Sequence, residues 1–184
     1  MQAARGTSLS RRVVAAVGLF AYLVDVTVKV LSVQHLGGKD IHVLGDLFVL
    51  HLTRNPGAAF STGTAYTPVL ACVAIVALVV VLFVSRRVGD RVWAVALGLL
   101  LGGIGGNLTD RLVRPPGPMR GHVVDMFMVP HWPVFNVADI CINIAAGLII
   151  LQTFRGIGLD GTRHSGDKER AEALDQGQQG AHHE

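Results

Sequence analysis

Four stretches of this chain are apolar and long enough to cross a bilayer, and that restricts the fold before anything else does. A helix needs roughly 20 mostly apolar residues to cover a hydrocarbon core about 30 Å thick. The stretches "VVAAVGLFAYLVDVTVKVLSV" (13 to 33), "PVLACVAIVALVVVLFVS" (68 to 85), "VWAVALGLLLGGIGGNLTDRLV" (92 to 113) and "NVADICINIAAGLIILQTF" (136 to 154) are all near that length. Composition agrees: 51% of the residues are hydrophobic and only 16% charged, where a soluble domain carries about a quarter. "MQAARGTSLSRR" ahead of the first stretch imitates a secretory signal. No small-residue cleavage site follows it, however, and the run holds Asp25 and Lys29, so it reads as a retained first helix.

Four spans put both termini on one side. Arg5, Arg11, Arg12, Arg86, Arg87, Arg91, Arg155 and Arg163 lie on the side of the termini; Lys39, Arg54, Arg111, Arg114 and Arg120 lie on the other. The excess of basic residues places the termini in the cytoplasm. The domain reading is a cytoplasmic N-terminus over residues 1 to 12, a membrane domain over 13 to 154 and a flexible cytoplasmic tail over 155 to 184. Its long outer loops are residues 34 to 67 and 114 to 135.

The first outer loop contains the alternating "FVLHLT" between turn-forming "LGD" and "NPG", which predicts a small hairpin or sheet over residues 41 to 62. In the second, "RPPGPMRG" ends the third helix and "HVVDMFMV" reads as extended chain. The polar tail includes "DKERAEAL", a possible helical turn. Cys72 and Cys141 fall inside spans with no ligand spacing, and the histidines are scattered. No metal, cofactor or nucleic acid is expected, and a monomer is the expected state.

Charged groups at membrane depth cost roughly 2.5 to 3.5 kcal/mol each on insertion scales, and they face a bundle interior or a watery cavity. Their spacing is therefore informative. Gly18, Tyr22, Asp25, Lys29 and Ser32 share one face of the first helix, with Asp25 and Lys29 at ion-pair spacing. Asn107, Asp110 and Arg111 share a face at the end of the third, above the small-residue ladder Gly98, Gly102, Gly106. Asn136, Asp139 and Asn143 repeat the pattern on the fourth. Three helices thus aim acids and amides at one outer level.

Asp125 on extended chain and Asp139 at a helix start form a candidate pair. Two carboxyl groups in one low-dielectric site tend to share a proton, which supplies a base to activate water and an acid to polarise an amide carbonyl. A transporter would also use intramembrane acids, although the inner halves of these helices are almost free of them. A non-enzymatic assembly subunit held by the Gly98 ladder is a third possibility.

In this order "DVTVK", "RNPGAAFS", "GGNLTDRL", "HVVDMF" and "PVFNVADICINIAAG" resemble the motifs of signal peptidase II, the bacterial lipoprotein signal peptidase. The resemblance spans residues 25 to about 150. It implies an all-α membrane protein of four transmembrane helices with a small extracytoplasmic β-sheet and a lid, in the bacterial cytoplasmic membrane. The implied activity is aspartic endopeptidase cleavage of diacylglyceryl-modified prolipoproteins just before the lipidated cysteine, with sensitivity to the cyclic peptide globomycin. The family's catalytic acids map to Asp125 and Asp139, and its site-shaping groups to Asn55, Asn107, Arg111 and Asn136. By their spacing, Asp25, Lys29 and Asp110 are further site-shaping candidates, with a structural ion pair near the outer end as the alternative reading of Asp25 and Lys29. Gly57, Ala58 and Ala59 are expected to leave room for a lipid-bearing chain. Where the family commonly has Asp-Gln, this chain has Asp25-Val26, so any role of that Gln is absent.

Overall fold

The computed structural model describes residues 2–57 and 66–163. Its helices are α1 (Gln2–His35), α2 (Thr67–Ser85), α3 (Arg91–Val113) and α4 (Val137–Phe154). Its strands are β1 (Ile41–His42), β2 (Val49–Asn55) and β3 (Val123–Met128). All four helices are long and apolar enough to span a membrane, the first over Ser8–His35. The three later spans begin and end within a residue of the sequence expectation. The first does not: α1 runs unbroken back to Gln2, because nothing in "TSLSRR" breaks a helix once the apolar run has nucleated it.

The packing is inverted relative to a soluble protein. Leu19, Phe20, Leu23, Val73, Val76 and Phe83 are exposed, while Asp25, Lys29, Asp110 and Asn136 are buried. That distribution suits a hydrocarbon surround, where the polar groups gain by facing one another. The central helix is α3, which touches α1, α2 and α4. Its glycine ladder explains how α1 comes so close. A Cβ on Gly98 would stand 2.8 Å from Val17 Cβ, and one on Gly102 2.6 Å from Ala21 Cβ.

At one end of the bundle the strands form an antiparallel sheet in the order β1-β2-β3. Thr53 pairs with Asp125 and Asn55 with Val123, with an irregularity between Leu50 and Thr53. Asn55 and Asp125 are therefore diagonal neighbours on one sheet face. After β3 the chain folds back: Phe135 exchanges backbone hydrogen bonds with Phe127, and the Phe127 ring packs against Phe48 and Phe135. This reversal brings the start of α4 beside β3. Residues 58 to 62 of the expected hairpin, with Ala58 and Ala59, lie outside the described residues, as does "DKERAEAL".

The opposite end holds the described start of the expected tail; its residues 164 to 184 lie outside the described residues. Residues 155–163 are bound to the α2–α3 connection: Leu159 O accepts from Gly89 N and Asp90 N, and Trp93 Nε1 donates to Ile157 O at 2.9 Å. Leu159 packs on the cluster of Val14, Val88, Ala94 and Leu97. Asp90 caps α3 and also accepts from the buried Gln152. A Cβ on Gly89 would collide with the Asp160 backbone, so Gly89→Ala should push this segment away. The expected loss is about 2 kcal/mol, from hydrogen bonds and part of one buried Leu. Thermal unfolding in detergent reads it, with cleavage unchanged; an unaltered melting temperature would show that the segment contributes nothing.

Candidate active site

Asp125 lies on β3 at 2% exposure, held between two amides. Its Oδ1 accepts from Asn136 Nδ2 at 2.6 Å and its Oδ2 from Asn55 Nδ2 at 3.2 Å. Burial, reinforced by the nearby Asp139, raises its pKa from 3.8 to about 6, against the opposing effect of Asn136, Asn55 and Lys29. The unfolded chain ionises this group more readily. Stability from this residue is thus full below about pH 4 and is lost as pH rises through about 6, by as much as about 3 kcal/mol. Asp125→Asn should therefore flatten the fall in melting temperature between about pH 4.5 and about pH 7.5. Parallel slopes for variant and wild type would refute this.

Asp139 is the third residue of α4, and a reciprocal capping box fixes it. Asn136 Oδ1 accepts from Asp139 N at 3.0 Å, and Asp139 Oδ2 accepts from Asn136 N at 3.1 Å. Its Oδ1 accepts from Asn107 Nδ2 at 2.9 Å. Asn136 is the hinge of the arrangement, since its Nδ2 also reaches Asn107 Oδ1 at 3.1 Å. One amide thereby contacts Asp125 and Asn107 while capping the helix that bears Asp139.

Both acids open onto a cavity of about 790 Å³ whose polar wall includes Asn55, Asn107 and Arg111, and whose apolar wall includes Trp132, Phe135, Ile140 and Ile144. Arg111 Nη2 donates to Gly57 O at 3.3 Å, whereas its buried Nη1 has no hydrogen-bond partner among the described residues. Asn143 stands on the wall, but its amide bonds back to Asp139 O. Asp25, Lys29 and Asp110 do not line the cavity; they lie buried behind it. No group of three or more His, Cys, Asp or Glu among the described residues is arranged to hold a metal ion.

The apolar wall went unread in the sequence. The available signal was Trp132, a large aromatic side chain lying between the two acid-bearing motifs. Its place depends on the chain reversal that pairs Phe127 with Phe135.

The model of the signal peptidase (SPase) II family matches residues 17–155. The chain belongs to the signal peptidase II family. The lipoprotein signal peptidase of Leifsonia xyli subsp. xyli is 46% identical over 153 residues, covering 82% of this chain and 71% of the relative. That of Mycobacterium tuberculosis is 42% identical over 157 residues, covering 84% and 78%. A bacterial membrane enzyme solved at 1.9 Å by the in meso method shares the fold, with a TM-score of 0.67 at 23% identity over 76% of this chain and 91% of that one. As a member of that family, this multi-pass membrane protein is an aspartic peptidase, a hydrolase.

Proposed function

We propose that Asp125 and Asp139 are the catalytic pair of an endopeptidase that removes signal peptides from diacylglyceryl-modified prolipoproteins. The observation that supports this best is the shared cavity: two acids from different elements, bridged by Asn136, open together onto one largely apolar chamber. Asn136 sits where a small change in either acid is felt by the other.

The pair holds one proton. Buried Asp125, with its raised pKa, is the natural holder. Asp139 takes a proton from water, and the resulting hydroxide attacks the carbonyl carbon while Asp125 donates to the carbonyl oxygen. As the tetrahedral intermediate collapses, the C–N bond breaks, the nitrogen takes the proton held by Asp139, and a hydroxyl of the intermediate re-forms C=O by returning its proton to Asp125, which restores the starting pair. The products are a signal peptide with a new carboxylate and a lipoprotein whose lipidated cysteine carries a free amine. No covalent enzyme intermediate forms.

The substrate fits the chamber. A signal helix and a diacylglyceryl thioether are both apolar, and anchoring in the same bilayer supplies local concentration and orientation. Arg111, Asn55 and Asn107 on the cavity wall are candidate donors to the bound chain. The distribution of basic residues supports a topology with the termini in the cytoplasm and this cavity near the outer face.

The test is a paired assay in vesicles with one precursor supplied with and without its lipid. Cleavage of the lipidated form alone is expected. Equal cleavage of both would remove the lipid from the recognition scheme.

A further inference from the structure

Lys29 is 1% exposed and does not line the cavity, yet its ammonium group touches three partners on which both acids depend. A lysine ammonium has three donors and no acceptor. Lys29 Nζ donates to Asn107 Oδ1 at 2.8 Å and forms ion pairs with Asp25 Oδ2 at 2.8 Å and Asp110 Oδ2 at 3.0 Å.

Each arm ends at or beside a catalytic acid. Asp25 Oδ1 accepts from the backbone N–H of Ala138 at 2.8 Å, the residue before Asp139. Asp110 Oδ2 accepts from the backbone N–H of Val124 at 3.1 Å, the residue before Asp125. Asn107 donates to Asp139 Oδ1 itself. Asp110 is also paired with Arg114, so two carboxylates meet two cations and the buried group is neutral overall.

The third arm sets the direction of a hydrogen bond as well as a position. Asn107 Oδ1 faces two donors, Lys29 Nζ and Asn136 Nδ2. Turning that amide over would place its NH2 against an ammonium, so it is held with Nδ2 toward Asp139. Asp139 Oδ1 is thereby fixed as the acceptor of that bond, which sets the direction in which its carboxyl group faces. An ion pair serving the fold alone would need Asp25 but not Asn107.

We propose that Lys29 is a positioning residue for the acid pair: through Asp25, Asp110 and Asn107 it fixes both carboxyl groups and makes Asn107 a donor to Asp139. This rests on the reading of Asp125 and Asp139 as the catalytic pair.

The test compares Lys29→Met and Lys29→Gln with wild type as purified protein in detergent, scored as folded by monodisperse elution and cooperative thermal unfolding. Steady-state cleavage of a lipidated precursor is then measured per folded molecule. The expected result is a kcat at least about 100-fold below wild type with KM within about threefold, because the acids shift while the cavity wall stays. A folded variant with kcat within about threefold of wild type would overturn the proposal, whatever its loss of yield. So would failure of both variants to fold, which would make Lys29 a requirement of the fold alone. Asp125→Asn runs beside them as the reference: if it is inactive while folded Lys29→Met is not, only the Lys29 role fails. If Asp125→Asn itself turns over, the acid-pair reading has failed and the positioning role fails with it.

Discussion

Asp125→Asn and Asp139→Asn should each lower cleavage by at least about 10³-fold while leaving an inserted, folded protein. An amide is nearly the size of a carboxyl group, so the cavity keeps its shape. It can neither take a proton from water nor hold the shared one. Some stability is lost at Asp125, where both oxygens accept from amide NH2 groups and the substituted side chain would turn one NH2 toward another, a cost of about 1 to 3 kcal/mol. Initial rates on a lipidated precursor, with thermal unfolding run on the same samples, separate the two effects. Substantial turnover by either variant would sink the acid pair.

The second large effect belongs to the α1–α3 seam. Gly102→Val should destabilise the protein by about 3 to 5 kcal/mol, enough to abolish accumulation of folded material. Besides Ala21 Cβ, a side chain there would meet Gly18 O at 2.7 Å and Tyr22 N at 3.0 Å, backbone atoms that cannot swing aside. Forcing the helices apart would also separate Lys29 and Asp25 on α1 from Asn107 and Asp110 on α3, leaving buried charges unpaired. Gly147→Ala is the matched control, because open space surrounds that position. Comparable yields of monodisperse Gly102→Val and Gly147→Ala would show that the seam tolerates side chains.

The bundle was legible because lipid imposes one strong rule on sequence. A spanning helix announces itself by hydropathy, and a charge inside it announces a buried partner. Asp25 and Lys29 were readable as a pair at helical spacing, and Asn136 and Asp139 as one face of α4. Spacing within one helix says nothing about what stands opposite, so the three arms from Lys29 to the neighbourhoods of Asp125 and Asp139 became visible only once α1, α3, β3 and α4 were placed together. The same limit hid Trp132 and Phe135, whose position is set by a chain reversal, and the docking of Leu159. A polar, Gly-rich segment reads as loose, and composition cannot reveal that Gly89 leaves room for the Asp160 backbone.

The most direct measurement is mass spectrometry of a diacylglyceryl-modified prolipoprotein incubated with the purified protein in lipid vesicles. Predicted are two products, an intact signal peptide and a lipoprotein beginning at the lipidated cysteine, both absent with Asp125→Asn and Asp139→Asn. An untouched precursor, under conditions in which the Mycobacterium tuberculosis relative cleaves it, would contradict the assignment.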